Sequence, residues 1–288
     1  MSYDTNKQNS RMVTGLFPDR ASAERAYNSV SDRGYSKDDV NLMMSDSTRT
    51  THFADTDTEL GSKAAEGAGI GAGIARRLAA DGWTILAHGG RRDALDETLA
   101  CVADAGGCGH FFQAEMGESE AVAALCEWAN AFGPLDAVVH CAAKFTYGPV
   151  STERFADWDR SIDQVLRATL HLTAHTLPSV RAARGAYVYL CGPTSWLGWK
   201  NHAIHCALRH AQAGFAKALF EDVREDGVRV TLVHPGFVDT PSVNDTGKDR
   251  SRMIQRADIS EMIATAIQLP NTSCVTELTL RPQRSPYL

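Results

Sequence analysis

The chain has 288 residues, 43% of them hydrophobic, and a formal net charge of -6 at pH 7. This length suffices for one large α/β domain and a small one, and the acidic balance argues against nucleic acid as the main partner. The polar N-terminus predicts no signal peptide, no apolar run approaches the ~18–20 residues of a membrane span, and the seven cysteines have no metal-binding CxxC spacing. We therefore expect a cytoplasmic protein with no membrane partner, no metal and reduced thiols.

The first 66 residues predict a small βαβ segment and a polar linker. Apolar patterns predict a strand at 12–17, a helix over 19–33 and a second strand at 40–44. The strings VTGLFPDRASAERAYNSVSDRGYSKDDVNLMMSD and ELGSKAAEGAGIG resemble bacterial general stress proteins of the heat-induced type, over about residues 11–71. That resemblance implies no catalytic residue.

A glycine-rich string, GAGIG at residues 67–71, opens a predicted helix over 70–81. Glycines let the backbone approach a pyrophosphate closely, and a helix N-terminus supplies free N–H groups and a partial positive charge. The string therefore predicts the phosphate-binding loop of a dinucleotide site. The expected contacts are Gly67, Gly69, Ile70 and Gly71.

The strand that should lead into this loop is missing, because residues 54–65, ADTDTELGSKAA, contain no apolar run. Without it, neighbouring strands would keep unpaired backbone groups. Three explanations are open. The strand at 12–17 replaces it, the sheet is split there, or the chain joins two unrelated pieces at the shared GAGIG string.

Helical and strand patterns alternate from residue 67 onwards. Helices are predicted at 70–81, 93–105, 119–132, 153–177, 202–225 and 259–268, and strands at 83–87, 110–114, 135–141, 186–191, 228–234 and 275–280. This alternation predicts an α/β fold with a doubly wound Rossmann-type parallel sheet covered by helices on both faces. The predicted domains are residues 1–66 and 67–288.

Several motifs of the second segment are similar to those of one enzyme family. GIG at 69–71 stands at the end of a TGxxxGIG loop, LDAVVHCAA at 135–143 stands where an LDxLVNNAG strand is found, and RVTLVHPGFVDT at 229–240 matches RVxxVxPGxVxT. Over about residues 67–283 the chain resembles the short-chain dehydrogenase/reductase family. The resemblance implies hydride transfer between a nicotinamide cofactor and a small carbonyl or alcohol compound. It also implies cofactor contacts at Ala142, Pro235, Gly236 and Val238.

The residues that carry the chemistry in that family are replaced in this chain. The family uses a tyrosine to transfer the proton, a lysine four residues later to lower the phenol pKa, and an upstream serine to hold the substrate oxygen. In AIHCALRHA at 203–211, His205 takes the tyrosine position and Arg209 the lysine position, while Gly192 takes the serine position. A histidine, whose ordinary pKa is about 6.5, exchanges protons at neutral pH.

Two hypotheses follow from these replacements. In the first, the protein is an oxidoreductase with an altered site, in which His205 donates the proton, Arg209 positions the cofactor ribose, and Ser195 or Thr194 holds the oxygen. In the second, it is a catalytically inactive Rossmann scaffold that acts through protein contacts linked to stress response.

Cofactor preference and assembly are also predicted. No acid occurs at 87–92, and Arg91 and Arg92 favour the 2′-phosphate of NADP over NAD, although capping or solvation of the next helix explains them equally well. The long helices at 153–177 and 202–225 imply, by the resemblance, a homo-dimer or homo-tetramer.

Overall fold

A computed structural model describes residues 69–141, 145–240 and 247–287, together with Ser29. The strands predicted at 12–17 and 40–44 lie outside these residues, as do the predicted cofactor contacts Gly67 and Ala142. The division of the chain into two domains and the stress-protein resemblance therefore stay predictions.

Helices and strands alternate through the described residues. The α-helices are α1 (Ile70–Ala80), α2 (Arg92–Asp104), α3 (Ser119–Asn130), α4 (Phe155–Ser161), α5 (Ala168–Ala183), α6 (Ala203–Val223) and α7 (Arg256–Gln268). The strands are β1 (Thr84–Gly89), β2 (Cys108–Gln113), β3 (Ala137–His140), β4 (Ala186–Leu190), β5 (Arg229–Pro235) and β6 (Glu277–Leu280). Their boundaries differ from the predicted ones by a few residues, with one exception.

The exception is the long helix predicted at 153–177. It begins with a 3-10 turn at Thr152–Arg154, and a π-helical turn at Ile162–Arg167 separates α4 from α5. Helix α5 then continues through Pro178, where a helix is expected to end because proline has no N–H to donate. Val180, two residues further on, is fully buried in the core, and this packing keeps the chain helical beyond the proline.

The described strands form two parallel sheets. One pairs β1 with β2, and the other has the order β3–β4–β5–β6. Strand β4 is buried at every residue, whereas β1 and β3, each at an edge of its sheet, are mostly half-buried. No strand joins β1 to β3 within the described residues, so the three explanations for the missing strand stay open.

Helices pack on both faces of the larger sheet. On one face, α1 and α7 form a core with alternate side chains of β4 and β5, and Ile74 and Leu78 of α1 also pack with Ile85 of β1 and Val139 of β3. Helix α1 thus connects the two sheets. On the other face, α5 and α6 cover the remaining side chains of β4 and β5. Parallel strands covered on both faces confirm the predicted Rossmann-type α/β fold.

Two further features concern the helices and the cysteines. Within the described part of the chain, no helix is both long and apolar enough to cross a membrane.

All seven cysteines are free thiols, and burial raises the pKa of Cys126 to about 11 and that of Cys191 to about 12. Thiols with raised pKa values are poor nucleophiles at neutral pH.

Candidate active site

The carboxyl ends of β3, β4 and β5 lie along one edge of the sheet, because these strands are parallel and in register. His140 ends β3, Gly192 follows β4 closely, and His234 lies near the end of β5. Helix α6 packs against the 3-10 turn that follows β4, with His205 and Arg209 on its buried face. Ligands of open α/β sheets bind at this edge, so the predicted site residues lie where chemistry is expected.

Arg209 is a buried cation, with only 3% of its surface exposed. Its Nη1 donates to the carbonyl of Leu190 at 2.9 Å and to Oε1 of Gln212 at 2.7 Å. Its Nε has no hydrogen-bond partner, and no carboxylate of the described residues pairs with it. Burial lowers the pKa of Arg209, since the charged form loses its hydration. The guanidinium therefore retains donor capacity for a bound polar ligand.

A hydrogen-bond network extends from Arg209 to His140. Because Arg209 holds Oε1 of Gln212, the amide Nε2 of Gln212 donates to Oγ1 of Thr169 at 3.0 Å and faces Nδ1 of His140 at 3.3 Å. Nε2 of His140 then donates to Thr169 at 3.1 Å, and Thr169 donates to the carbonyl of Val165 at 2.6 Å. Each ring nitrogen of a neutral His140 therefore has a hydrogen-bond partner.

His140 is held in its neutral form by its surroundings. Burial, with the nearby Arg209 cation as a lesser cause, lowers the pKa of His140 to about 4. A second ring proton, on Nδ1 of His140, would also face the N–H donor of the Gln212 amide, which disfavours the charged form. His140 replaces the asparagine of the family motif, and this network shows how the core accepts an imidazole there.

His205 lies in the first turn of α6 and is buried. The centroid of its ring is 5.0 Å from that of Phe145 and 6.4 Å from that of His202. Since Arg209 follows four residues later, the two side chains project from the same face of the helix, as the tyrosine and lysine of the family do. The predicted proton donor is therefore at the sheet edge, next to an exposed aromatic side chain.

Ser195 forms contacts that the sequence did not suggest. Its Oγ donates to the carbonyl of Gly192 at 2.6 Å and lies 2.9 Å from Nδ1 of His234. Nε2 of His234 is 3.0 Å from Oε1 of Glu277. Among the described contacts, none joins Ser195 to His205 or Arg209. Thr194 is buried in the same turn.

Gly192 supports this turn through its backbone. Its φ is +83°, a conformation that favours glycine over residues with a side chain. The position that holds the family's serine therefore has neither a hydroxyl nor the backbone conformation that most other residues adopt.

The N-terminus of α1 meets the end of β3. Gly69 precedes the helix in an extended conformation, no side chain caps it, and no acidic residue occurs in its first turn. A Cβ on Gly71 would lie 3.5 Å from Cβ of Cys141, at ordinary van der Waals distance. The first N–H groups of α1, from Ile70 onwards, are thus available to an anion.

The loop after β5 approaches the C-terminal strand closely. A Cβ on Gly236 would lie 3.3 Å from the carbonyl of Leu280, which is tighter than usual contacts. Pro235 is half-buried, and Val238 is buried beside Ile254. Glycine at 236 therefore serves close backbone packing, and the cofactor contact implied by the family motif stays a prediction.

Both predicted arginines follow β1, and one acid from outside residues 87–92, Glu115, lies beside them. Arg92 donates from Nε to Asp96 at 2.9 Å and stacks on Phe111, while Arg91 has only a loose 3.7 Å ion pair with Asp93. The carboxylate of Glu115 lies against Gly90, where an added Cβ would collide with it. Glu115 follows β2 by two residues, and only the parallel pairing of β1 with β2 brings it here.

Comparison with known proteins gives both family members and similar structures. A family model described as short chain dehydrogenase matches residues 64–251. An uncharacterized oxidoreductase of Staphylococcus epidermidis is 26% identical over 221 residues, which cover 74% of this chain and 93% of the relative. A 3beta-hydroxysteroid dehydrogenase of Mediterraneibacter gnavus is 28% identical over 192 residues, with 66% and 70% covered.

Solved structures agree with this assignment at the level of the fold. A metagenomic short-chain oxidoreductase in complex with NADP has a TM-score of 0.66 at 24% identity, over 75% of this chain and 93% of that one. L-Sorbose reductase from Gluconobacter frateurii, complexed with NADPH and L-sorbose, has a TM-score of 0.68 at 19% identity, over 75% and 92%. The family model and the fold together show that this chain belongs to the short-chain dehydrogenase family of oxidoreductases.

Proposed function

We propose that this protein transfers hydride between NADP(H) and a small carbonyl or alcohol compound at an altered site in which His205 and Arg209 replace tyrosine and lysine. One observation carries the proposal. A buried guanidinium with an unused donor lies one helical turn after a buried imidazole, at the ligand-binding edge of the sheet. An uncompensated buried cation is costly, and a bound polar ligand would offset part of that cost.

The residues present fit a dinucleotide. The uncapped first turn of α1 offers N–H groups at Gly71 and its neighbours to a pyrophosphate, and Arg209 offers its unpaired Nε to a ribose hydroxyl. When bound, the nicotinamide cofactor supplies or accepts the hydride. His205 donates a proton to the carbonyl oxygen during reduction and takes it back during oxidation. By the family motif, Pro235, Gly236 and Val238 are the residues that would contact the bound cofactor.

Replacing His205 with phenylalanine tests the proton transfer. We expect NADPH-dependent carbonyl reduction to fall by about 10²–10⁴-fold, the usual contribution of a positioned acid, while the dissociation constant of NADPH stays unchanged. The new ring keeps the packing against Phe145. The exposed His210, one turn further along the same helix, gives the matched control His210→Phe. Equal activity in wild type and His205→Phe would assign the proton to another group.

Arg91 is proposed to select NADP over NAD. Because Asp96 and Phe111 already engage Arg92, Arg91 is the more available cation for a 2′-phosphate. Arg91→Ala should weaken NADPH binding about tenfold, the order of one charge-assisted hydrogen bond, without changing NADH binding. Arg92→Ala is the control, and calorimetric titration measures both cofactors. Tighter binding of NADH by the wild type would instead favour Glu115 as the residue that reads the ribose 2′-hydroxyl.

A second candidate function, a catalytically inactive Rossmann scaffold, is favoured by the contacts of Ser195. Its hydroxyl proton is committed to the carbonyl of Gly192, and Gly192 itself brings no hydroxyl to the serine position. NADPH binding without turnover, or no binding at millimolar cofactor, would support this scaffold.

Three proposals concern the whole chain. The first 66 residues are proposed to form a small domain of the general stress protein type, on the resemblance over about residues 11–71. The protein is further proposed to be cytoplasmic and to form a homo-dimer or homo-tetramer through the helices around 153–177 and 202–225. Light scattering of the full chain measures the assembly, and a monomer at micromolar concentration contradicts it.

A further inference from the structure

Seven side-chain rings, one of which is that of His205, form a connected series that is here called the ring array. The centroids of neighbouring rings are 4.8 to 6.5 Å apart. The ring of Phe145 contacts those of Tyr147 and His205. The ring of His202 contacts those of Tyr147, His205 and Trp199. These distances are typical of interacting aromatic pairs. The members are Phe145, Tyr147, Trp199, His202, His205, Phe237 and Tyr287.

The largest members of the array are exposed to solvent. Phe145 is 53% exposed, Tyr147 52%, Trp199 42% and Tyr287 57%. They come from three distant parts of the chain: the loop after β3, the loop before α6 and the C-terminal tail. Single exposed apolar side chains are ordinary, but exposed rings that converge from separate segments indicate a binding surface.

The array borders the reacting group at one point and a cation at another. His205, the proposed proton donor, is itself a member. Nζ of Lys248 lies 5.0 Å from the centroid of Phe237 and 5.2 Å from that of Tyr287, within the range of cation–π contacts. A ligand that lies on the ring of Phe145 is therefore next to His205.

Two polar side chains near the rings are already engaged within the protein. Among the described residues near the rings, Asp239 is paired with Arg250, and Nδ1 of His202 lies 2.7 Å from the carbonyl of Lys200. A sugar needs partners for several hydroxyls, because each unsatisfied polar group costs binding energy. A flat apolar molecule needs only the ring faces.

We propose that the ring array is the substrate-binding surface and that the substrate is a planar carbonyl or alcohol compound with at least two fused rings. This inference rests on the proposed function, since it assigns the substrate class of the same site. Fused rings stack on Phe145 and Trp199 in the offset or edge-to-face geometries that aromatic groups prefer, and a short aliphatic chain gains much less from them.

The first experiment measures binding without cofactor, by calorimetric titration of the full chain with 2-naphthol, which cannot act as a hydride donor. Trp199→Ala and Phe145→Ala should each raise the dissociation constant about five- to tenfold, in line with the usual strength of one aromatic pair. The control is Phe132→Ala. Phe132 is 48% exposed, and its ring contacts among the described residues are with His110 and Trp128, outside the array. This variant should bind 2-naphthol within twofold of wild type.

The second experiment measures turnover of 2-naphthaldehyde, hexanal and L-sorbose with NADPH. Preference for 2-naphthaldehyde supports both proposals, whereas array-dependent binding of 2-naphthol without turnover of any compound supports the ring array and rejects the oxidoreductase. Binding of L-sorbose but not 2-naphthol, or equal losses in the Phe132 control, overturns the ring array. Tyr287→Ala, in the exposed tail, replaces either variant that fails to fold.

Discussion

Replacing Gly71 with aspartate should weaken NADPH binding at least 100-fold and leave the protein at least as stable as wild type. The new carboxylate would stand in the first turn of α1, where the proposed pyrophosphate binds. Two like charges about 4 Å apart repel by about 4 kcal/mol at an effective dielectric constant of about 20, so a 100-fold loss is a conservative figure.

The fold should tolerate this change for two reasons. A Cβ at Gly71 meets Cys141 only at 3.5 Å, so there is room for it. The first turn of α1 has no acidic residue, and an acid there interacts favourably with the helix dipole by about 0.3–1 kcal/mol. Aspartate is also a somewhat better helix former than glycine.

Calorimetric titration gives the NADPH affinity, and thermal unfolding without cofactor gives the stability. Gly71→Ala is the control, because it adds the Cβ without the charge and should change the dissociation constant much less. If Gly71→Asp and Gly71→Ala bind NADPH equally well, the N-terminus of α1 is not the phosphate site. If both variants fail to fold, a residue without a side chain is required where α1 packs against Cys141.

The free energy of unfolding should fall by about 3 kcal/mol between pH 6.5 and pH 4 because of His140 alone. Its pKa is about 4 in the folded protein, whereas an exposed histidine has a pKa of 6.5. The unfolded chain therefore binds a proton that the folded protein refuses, and each unit of pKa difference is worth about 1.4 kcal/mol. This stability is fully present above pH 6.5 and is lost as the pH falls towards 4.

Urea unfolding at several pH values, compared with the variant His140→Asn, isolates this contribution. Burial also lowers the pKa of His88 and His234, so wild type and variant share a residual dependence of the same sign. The variant should show a profile flatter by about 3 kcal/mol over this range. Parallel profiles would mean that His140 is protonated in the folded protein, and that the Gln212 amide is reversed.

Much of the fold could be predicted from patterns along the chain. Apolar periods placed every described strand and every α-helix except that α4 and α5 were predicted as one, because strands repeat every two residues and helices every 3.6. The long helix differed most from its prediction. It was predicted to end at 177, before Pro178, but the burial of Val180 against the sheet carries α5 onwards to Ala183. Tertiary packing outweighs a local preference of this size.

The sequence by itself determined the α/β class, the family and the positions of His205 and Arg209, because these depend on spacings within single elements or short motifs. The tertiary structure alone placed Glu115 beside Gly90 and the rings of Trp199 and Tyr287 next to Phe237. It also directed Ser195 towards His234. These neighbours belong to elements far apart in sequence, and the pairing of parallel strands, which no single motif encodes, decides which of them meet.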